Sequence, residues 1–288
     1  MKNLRKWLLW LLPHGLHVAR TRQLMRAAEP PDLVAREELR RNEELRDRHA
    51  GQRCFVLGNG PSAKTLDLAA LQGRCVISVS NGYLHSGYAE AAPRYHCVPQ
   101  ITYGRMTRDD AVKWFKEMHE GLGLAELFLN ETEAELVRTH GLFPGRKVHY
   151  LAFRENFDQL QSRDLIDLAS PIPRVESVPV MAIMIAMYMG FKDVVLLGVD
   201  HDHFMSRQYL YAFELGVQSG KDISTGACGE VQTPWHDEFQ SLARLWRQYR
   251  VLRDIALKNG IRIVNATPGG ELDEFPRAIL STLIAGQT

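Results

Sequence analysis

Residues 178–200 read VPVMAIMIAMYMGFKDVVLLGVD, and no other run restricts the fold as much. Its first half is an apolar helix reaching Met189, with Gly190 as the stop. Its second half, VVLLGVD, shows no alternation between polar and apolar residues. A strand that is apolar throughout belongs in the middle of a parallel sheet covered on both faces. RCFVLG (53–58) and CVISVSN (75–81) are similar short β-type runs, joined by the helix-compatible AKTLDLAALQG, which makes a parallel βαβ unit. YHCVP (95–99), KVHYLAF (147–153) and IRIVNAT (261–267) read as further strands, and residues 111–141 as mostly helical with one more strand inside. HDEFQSLARLWRQYRVLRDIALKNG (236–260) predicts an amphipathic helix with Phe239, Leu242, Leu245, Trp246, Tyr249 and Leu252 on its apolar face. The expected fold class is α/β, a single doubly wound, Rossmann-like and mostly parallel sheet with helices on both faces. It occupies residues 51–288 and follows a charged helical extension over 1–50. Between His201 and Pro234 lie 34 residues without periodicity, and residues 203–234 are expected to form a lid.

The extension has its own chemistry. Trp7–Leu12 is an apolar run between Lys2, Arg5 and Lys6 on one side and Arg20, Arg22 and Arg26 on the other. Six apolar residues cannot cross a bilayer, which needs about twenty, and Pro13-His14 provides no signal-peptide cleavage site. Basic flanks with Trp at the boundary suit a helix lying in a membrane interface over residues 1–26. A helix packed on its own domain is the alternative. The expected location is the cytoplasm, peripheral at the inner face of the cytoplasmic membrane. Cys54, Cys75, Cys97 and Cys228 are widely spaced without a CxxC pair, as for reduced thiols. With a net charge of +1 the chain lacks the basic field that nucleic-acid binding requires.

Open parallel sheets bind ligands beyond the carboxyl ends of their strands. That rule selects Gly58–Ser62, Ser80-Asn81-Gly82, Asp200–His203 and Asn265–Thr267 as polar stretches expected on one rim. GNGPSAKT is one residue from a Walker A loop, but Ala63 replaces its glycine and Pro61 removes a backbone N–H. A nucleotide phosphate or ribose contact remains, with Gly58 and Gly60 permitting close approach and Asn59 and Ser62 offering hydrogen bonds. In DHDHF, an extended backbone would put Asp200 with Asp202 on one side and His201 with His203 on the other. Either pair could hold a cation, Mg²⁺ for the carboxylates or Zn²⁺ for the imidazoles, or Asp200 could bond a ribose. His236, opening a helix beside Asp237, is either a general base or a surface histidine.

VLGNGPSAKTLDLAAL (56–71) followed by SVSN (78–81), together with AMYMGFKDVVLLGVD (186–200), resembles the signatures of bacterial sialyltransferases that use CMP-activated sialic acid. The same opening resembles the 6-hydroxymethylpterin diphosphokinase MptE-like family, which includes flagellin-modifying motility accessory proteins. The likeness covers about residues 53–82 and 172–275. It implies that Asn59, Gly60 and Ser62 contact a nucleotide, that Asn81 contacts donor nucleotide or sugar, and that Asp200 lies near the nucleotide. It also implies that Ser177 matches the helix-start serine and that His236 deprotonates the acceptor. His201-Asp202-His203 stands where the sialyltransferases carry tyrosines that stabilise the leaving phosphate, for which Tyr209 or Tyr211 could substitute. The implied function is a glycosyltransferase with a nucleotide-sugar donor and a membrane-linked glycan acceptor, with no tightly bound cofactor and no required metal. The alternatives are an MptE-like pyrophosphokinase holding Mg²⁺ on Asp200 and Asp202, and a non-catalytic nucleotide-binding envelope protein.

Overall fold

The computed structural model describes residues 33–98, 100–101, 106–157, 160, 166–208, 210–215 and 233–285. The chain divides into two compact units, residues 1–37 and 38–288. The boundary lies before residue 50 because residues 42–49 are bonded into the sheet unit. Asn42 Nδ2 donates to the carbonyls of Tyr150 (2.7 Å) and Leu168 (2.9 Å), and His49 Nε2 lies 2.8 Å from the Tyr95 hydroxyl. The proposed interfacial helix over residues 1–26 lies outside the described residues.

Helix α1 (Leu33–Arg40) leads through a 3₁₀ turn to β1 (Arg53–Leu57) and β2 (Cys75–Val79). Then come α2 (Tyr88–Ala91), β3 (Tyr95–Cys97), α3 (Arg108–Gly121), β4 (Glu126–Asn130), α4 (Ala134–His140) and β5 (Val148–Leu151). Two short strands, β6 (Phe153–Glu155) and β7 (Ile172–Pro173), pair with each other. The last part holds α5 (Val178–Tyr188), β8 (Asp193–Leu197), α6 (His203–Ser206), α7 (Trp235–Lys258), β9 (Arg262–Asn265) and α8 (Leu280–Ala285). The main sheet has seven strands in the order β5-β4-β3-β2-β1-β8-β9, every neighbouring pair parallel.

The expected helix between β1 and β2 is instead two 3₁₀ turns, Pro61–Thr65 and Leu68–Leu71. Leu66 between them is extended, and the Asp67 carboxylate accepts from Ala69 N–H to start the second turn. Thr107 and Asp110 cap α3 reciprocally, each side chain accepting the other's backbone N–H.

Both faces of the sheet are buried, which explains the unbroken apolar strands. Cys54 and Val56 of β1 face α5 and α7, while Phe55 and Leu57 face the opposite layer. Helix α5 has no polar stripe, and Val180 to Ala186 are all fully buried between the sheet and α7. Burying a side chain such as Ile183 or Met184 contributes about 1.5–3 kcal/mol, so this helix anchors the sheet. Burial also pushes the thiols up, Cys75 to about 12, so they behave as packing groups. At the outer edge, β9 is covered by residues 276–278: Asn265 N–H donates to Pro276 O (2.8 Å) and Ala278 N–H to Asn265 O (3.0 Å). Among the described residues no helix is long and apolar enough to cross a membrane.

Candidate functional site

The chain runs outward from β1 to β5 and then returns to place β8 on the other side of β1. The strand order therefore reverses between β1 and β8, where the departing loops open a crevice. A cavity of about 260 Å³ lies there. Asn59 and Gly60 follow β1, Ser80 follows β2, and Gly198 to His203 follow β8. Ser177 and Val178 supply the start of α5, and Glu238, Ser241 and Leu245 come from α7.

The glycines after β1 serve the protein's own backbone. Gly58 N–H donates to Leu197 O (2.7 Å) and Gly60 N–H to Gly198 O (2.8 Å), so the two strand ends touch. A Cβ on Gly58 would strike the Gly198 carbonyl, and one on Gly60 would strike the Asp200 carboxylate. Gly198 has φ +62°, which ends β8 and turns the chain toward Asp200. Gly58 does not line the cavity; it holds the rim together.

Ser62 and Asp200 act as a pair. The Ser62 hydroxyl donates to Asp200 Oδ2 (2.8 Å) and its N–H to Oδ1 (3.2 Å). Asp200 is 4% exposed; burial raises its pKa above the usual carboxylate value, and the two Ser62 bonds pull it back. Asp200 lines the cavity, whereas Ser62 stands behind it as its anchor. Asn59 Nδ2 donates to Val79 O (3.1 Å), and its Oδ1 is buried without a partner. A buried acceptor left unpaired costs stability, so Asn59 is the group most in need of a donor at this rim.

Two non-glycine residues of the lining, Ser80 and His201, have φ +50°, a strained conformation that clusters at binding sites. The Ser80 carbonyl accepts a bond from His96 Nε2 (2.8 Å), whose Nδ1 lies 2.7 Å from Ser78 Oγ. Burial holds His96 at about 3, against the bond to the Ser80 carbonyl, so it is neutral. With Nε2 as donor, Nδ1 accepts from Ser78, and the ring fixes Ser80 from below. Burial and the neighbouring His203 hold His201 at about 3, with its Nε2 2.7 Å from the Tyr249 hydroxyl. His203 Nε2 lies 2.7 Å from Glu238 Oε1, and both side chains are buried.

The DHDHF run is not extended: His201 is left-handed and His203 opens α6, so the two imidazoles turn to different partners on α7. Asp200 and Asp202 both line the cavity, but Ser62 occupies both oxygens of Asp200. Among the described residues no group of three or more His, Cys, Asp or Glu side chains is arranged to hold a metal ion. Asn81 is 4% exposed, and its Oδ1 accepts from Trp114 Nε1 (2.9 Å), which fastens α3 rather than facing the cavity. His236 is exposed on the first turn of α7, 2.9 Å from Gln240 Nε2 and outside the lining. Asn265 and Thr267 also turn inward: Asn265 donates to Leu272 O and Thr267 Oγ1 accepts from Val199 N–H. Ser177 and Tyr211 line the cavity; Tyr209 and most of the expected lid, residues 216–232, lie outside the described residues.

Glu238, Glu176, Tyr249 and His96 were missed from sequence. Glu238 had a signal, because 238, 241, 245, 248 and 252 form one stripe of α7. Phe239, expected on that stripe, is 55% exposed and stacks on Trp235. His96 had none, since a polar residue inside a strand carries no mark of what lies beside it.

Fold and site together define a doubly wound parallel α/β protein with a polar cavity at its topological switch point. No family model and no curated protein matches the chain. Among solved structures, it is similar to the sialyltransferase CstII from Campylobacter jejuni in complex with cytidine-5'-monophosphate. That likeness has 16% identity and a TM-score of 0.46, and covers 79% of this chain and 85% of that one. It is also similar to the same sialyltransferase with a trisaccharide acceptor and CMP, at 15% identity and a TM-score of 0.43, over 78% and 85% of the two chains.

Proposed function

We propose that this chain is a glycosyltransferase that takes a sugar from a nucleotide-activated donor, the nucleotide lying in the β1/β8 cavity. The observation that carries the reading is the meeting there of three features. The N-terminus of α5 opens onto the cavity with no acidic residue in its first turn, which favours an anion. Asn59 supplies an unpaired buried acceptor for a base or ribose donor, and Asp200 is a carboxylate held in place for a hydroxyl. Glu176, Asp200, Asp202 and Glu238 line the cavity, and neither Lys nor Arg does among the described residues. Glu176 is paired with Arg244 and Glu238 with His203, and the remaining pair, Asp200 and Asp202, disfavours a bare polyphosphate and favours a donor with a single phosphate charge, of the CMP-sugar kind. The pyrophosphokinase alternative needs Asp200 and Asp202 to share Mg²⁺, which the Ser62 bonds oppose. The acceptor in this reading is a membrane-linked glycan, for which the basic and apolar segment 1–26 at the cytoplasmic membrane face is the motive.

The test is a thermal-shift panel of CMP, UDP, GDP, ATP and pterin, each with and without Mg²⁺. A ligand at about 100 times its Kd stabilises by roughly 2.7 kcal/mol through mass action. CMP should raise the melting temperature without Mg²⁺. A rise with ATP and pterin alone, only with Mg²⁺, would replace the reading with the pyrophosphokinase; no rise with any of them would remove it.

A further inference from the structure

The imidazole of His96, fully buried on β3, is bonded to a residue of the cavity lining. Its Nε2 lies 2.8 Å from the Ser80 carbonyl, which can only accept, so Nε2 carries the hydrogen. Burial pushes the ring's pKa down to about 3 and keeps it neutral, so Nδ1 is an acceptor. There the Ser78 hydroxyl lies at 2.7 Å and the Tyr88 hydroxyl at 3.4 Å, the two hydroxyls being 3.1 Å apart. The rings of Tyr83 and Tyr88 meet the imidazole edge-on. Both ring nitrogens are thus engaged, and the one N–H points at the residue whose φ is +50°. A serine in that conformation persists only where its surroundings over-determine it. Asn59 depends on the same turn. Its Nδ2 donates to Val79 O (3.1 Å), one residue before Ser80, and a Cβ on Gly82 would stand 3.1 Å from its Oδ1. A relaxed turn would move the Val79 carbonyl and Gly82 together, and the Asn59 amide with them.

Resting on the nucleotide reading above, we propose that His96 is a positioning residue of the nucleotide site, acting through Ser80 on Asn59. Its Nε2–H holds the Ser80 carbonyl, the turn over residues 79–82 keeps its left-handed Ser80, and Asn59 keeps its unpaired Oδ1 where an incoming donor meets it. His96 itself does not line the cavity. A chain whose turn is in this conformation only part of the time binds more weakly in proportion, because apparent affinity scales with the competent fraction. Ser78 and Tyr88 stand behind the ring and fix its plane, so their loss matters less than loss of the Nε2 bond.

The experiment titrates the full chain with CMP, UDP and GDP by calorimetry and records melting without ligand. His96→Gln, whose amide nitrogen can replace Nε2 against the Ser80 carbonyl, should keep affinity within about threefold of wild type. His96→Asn, whose shorter amide reaches Ser78 but not Ser80, should lose roughly 10-fold, the ratio that one hydrogen bond makes in the population of the turn. Ser80→Gly takes the left-handed conformation without steric cost, so His96→Asn should lose clearly less in that background than with Ser80 in place. A merely structural histidine would lower the melting temperature in both His96 variants and leave affinity alone. Should His96→Asn not fold, Ser78→Ala, which frees only Nδ1, is carried through the same two backgrounds, and a loss that Ser80→Gly suppresses supports the assignment. Wild-type affinity in the folded variant, or an equal loss in both backgrounds, overturns the assignment and leaves the nucleotide reading standing. A wild-type chain that binds none of the three nucleotides overturns the reading itself, and this assignment with it.

Discussion

Ser62→Ala removes the hydroxyl bond to Asp200 and leaves the backbone bond in place. The lost bond is 2.8 Å long, and Asp200 is 4% exposed, so water cannot replace the hydroxyl without rearrangement. A hydrogen bond to a charged, buried acceptor contributes about 1.5–3 kcal/mol. For a chain of this size that corresponds to a melting temperature lower by roughly 3–12 °C, at about 2–4 °C per kcal/mol. The loss also depends on pH with a definite sign. Burial raises the Asp200 pKa and the Ser62 bonds lower it, so the variant's Asp200 titrates higher still. The difference between the two proteins is therefore complete where Asp200 is ionised in both. It shrinks as pH falls through the folded-state pKa values and the carboxyl becomes neutral. Urea unfolding of wild type, Ser62→Ala, Asp200→Asn and the double variant, from pH 7 down to pH 4, measures both effects. A Ser62→Ala protein within about 0.5 kcal/mol of wild type at pH 7 would refute the reasoning, since that is the scatter of surface substitutions. So would an equal loss in the Asp200→Asn background, because coupled neighbours should not be additive.

Three further outcomes follow from the same structure. Asn59→Ala should weaken nucleotide binding in the thermal-shift panel while leaving unfolding in the absence of ligand almost unchanged, because losing the Nδ2 bond to Val79 O is offset by removing the unpaired buried Oδ1. Ile183→Ala should cost about 2–5 kcal/mol with an unchanged urea m-value, since Ile183 is fully buried in α5. Glu126 is raised by burial but lowered more by bonds from His149 and Arg48, to about 2 from 4.5. Its contribution, up to about 3 kcal/mol at 1.36 per pKa unit, is present above the unfolded-state pKa and disappears as pH falls from about 4.5 toward 2. The stability gap between wild type and Glu126→Gln, read by urea unfolding, should narrow over that interval.

The sheet was legible because burial on both faces leaves a mark on every residue of a strand, as in VVLLGVD and CFVL. The turn between β1 and β2 was less so, since AKTLDLAALQG has helical composition and the extended Leu66 and Asp67 divide it. At the site, three of the four strand-end stretches read from sequence border the cavity, while Asn81, His236, Asn265 and Thr267 do not line it. Strand-end position says that Asn81 and Ser62 lie near the rim; it cannot say that Trp114 and Asp200 claim them first. For His203, the partner Glu238 is 35 residues away, and only the return of α7 across the strand ends joins them. Pairings of that range are a property of topology, and motif spacing does not encode them.

The cover over β9 has a consequence for solubility. A parallel sheet this apolar, with an open outer strand, would present unpaired N–H and C=O groups to any other extended chain. Residues 276–278 occupy those groups at Asn265, so the sheet stops at seven strands instead of recruiting an eighth from a second molecule. Removing the chain from Pro276 onward would leave the residues of the β1/β8 cavity in place while turning the β9 edge into a template for aggregation.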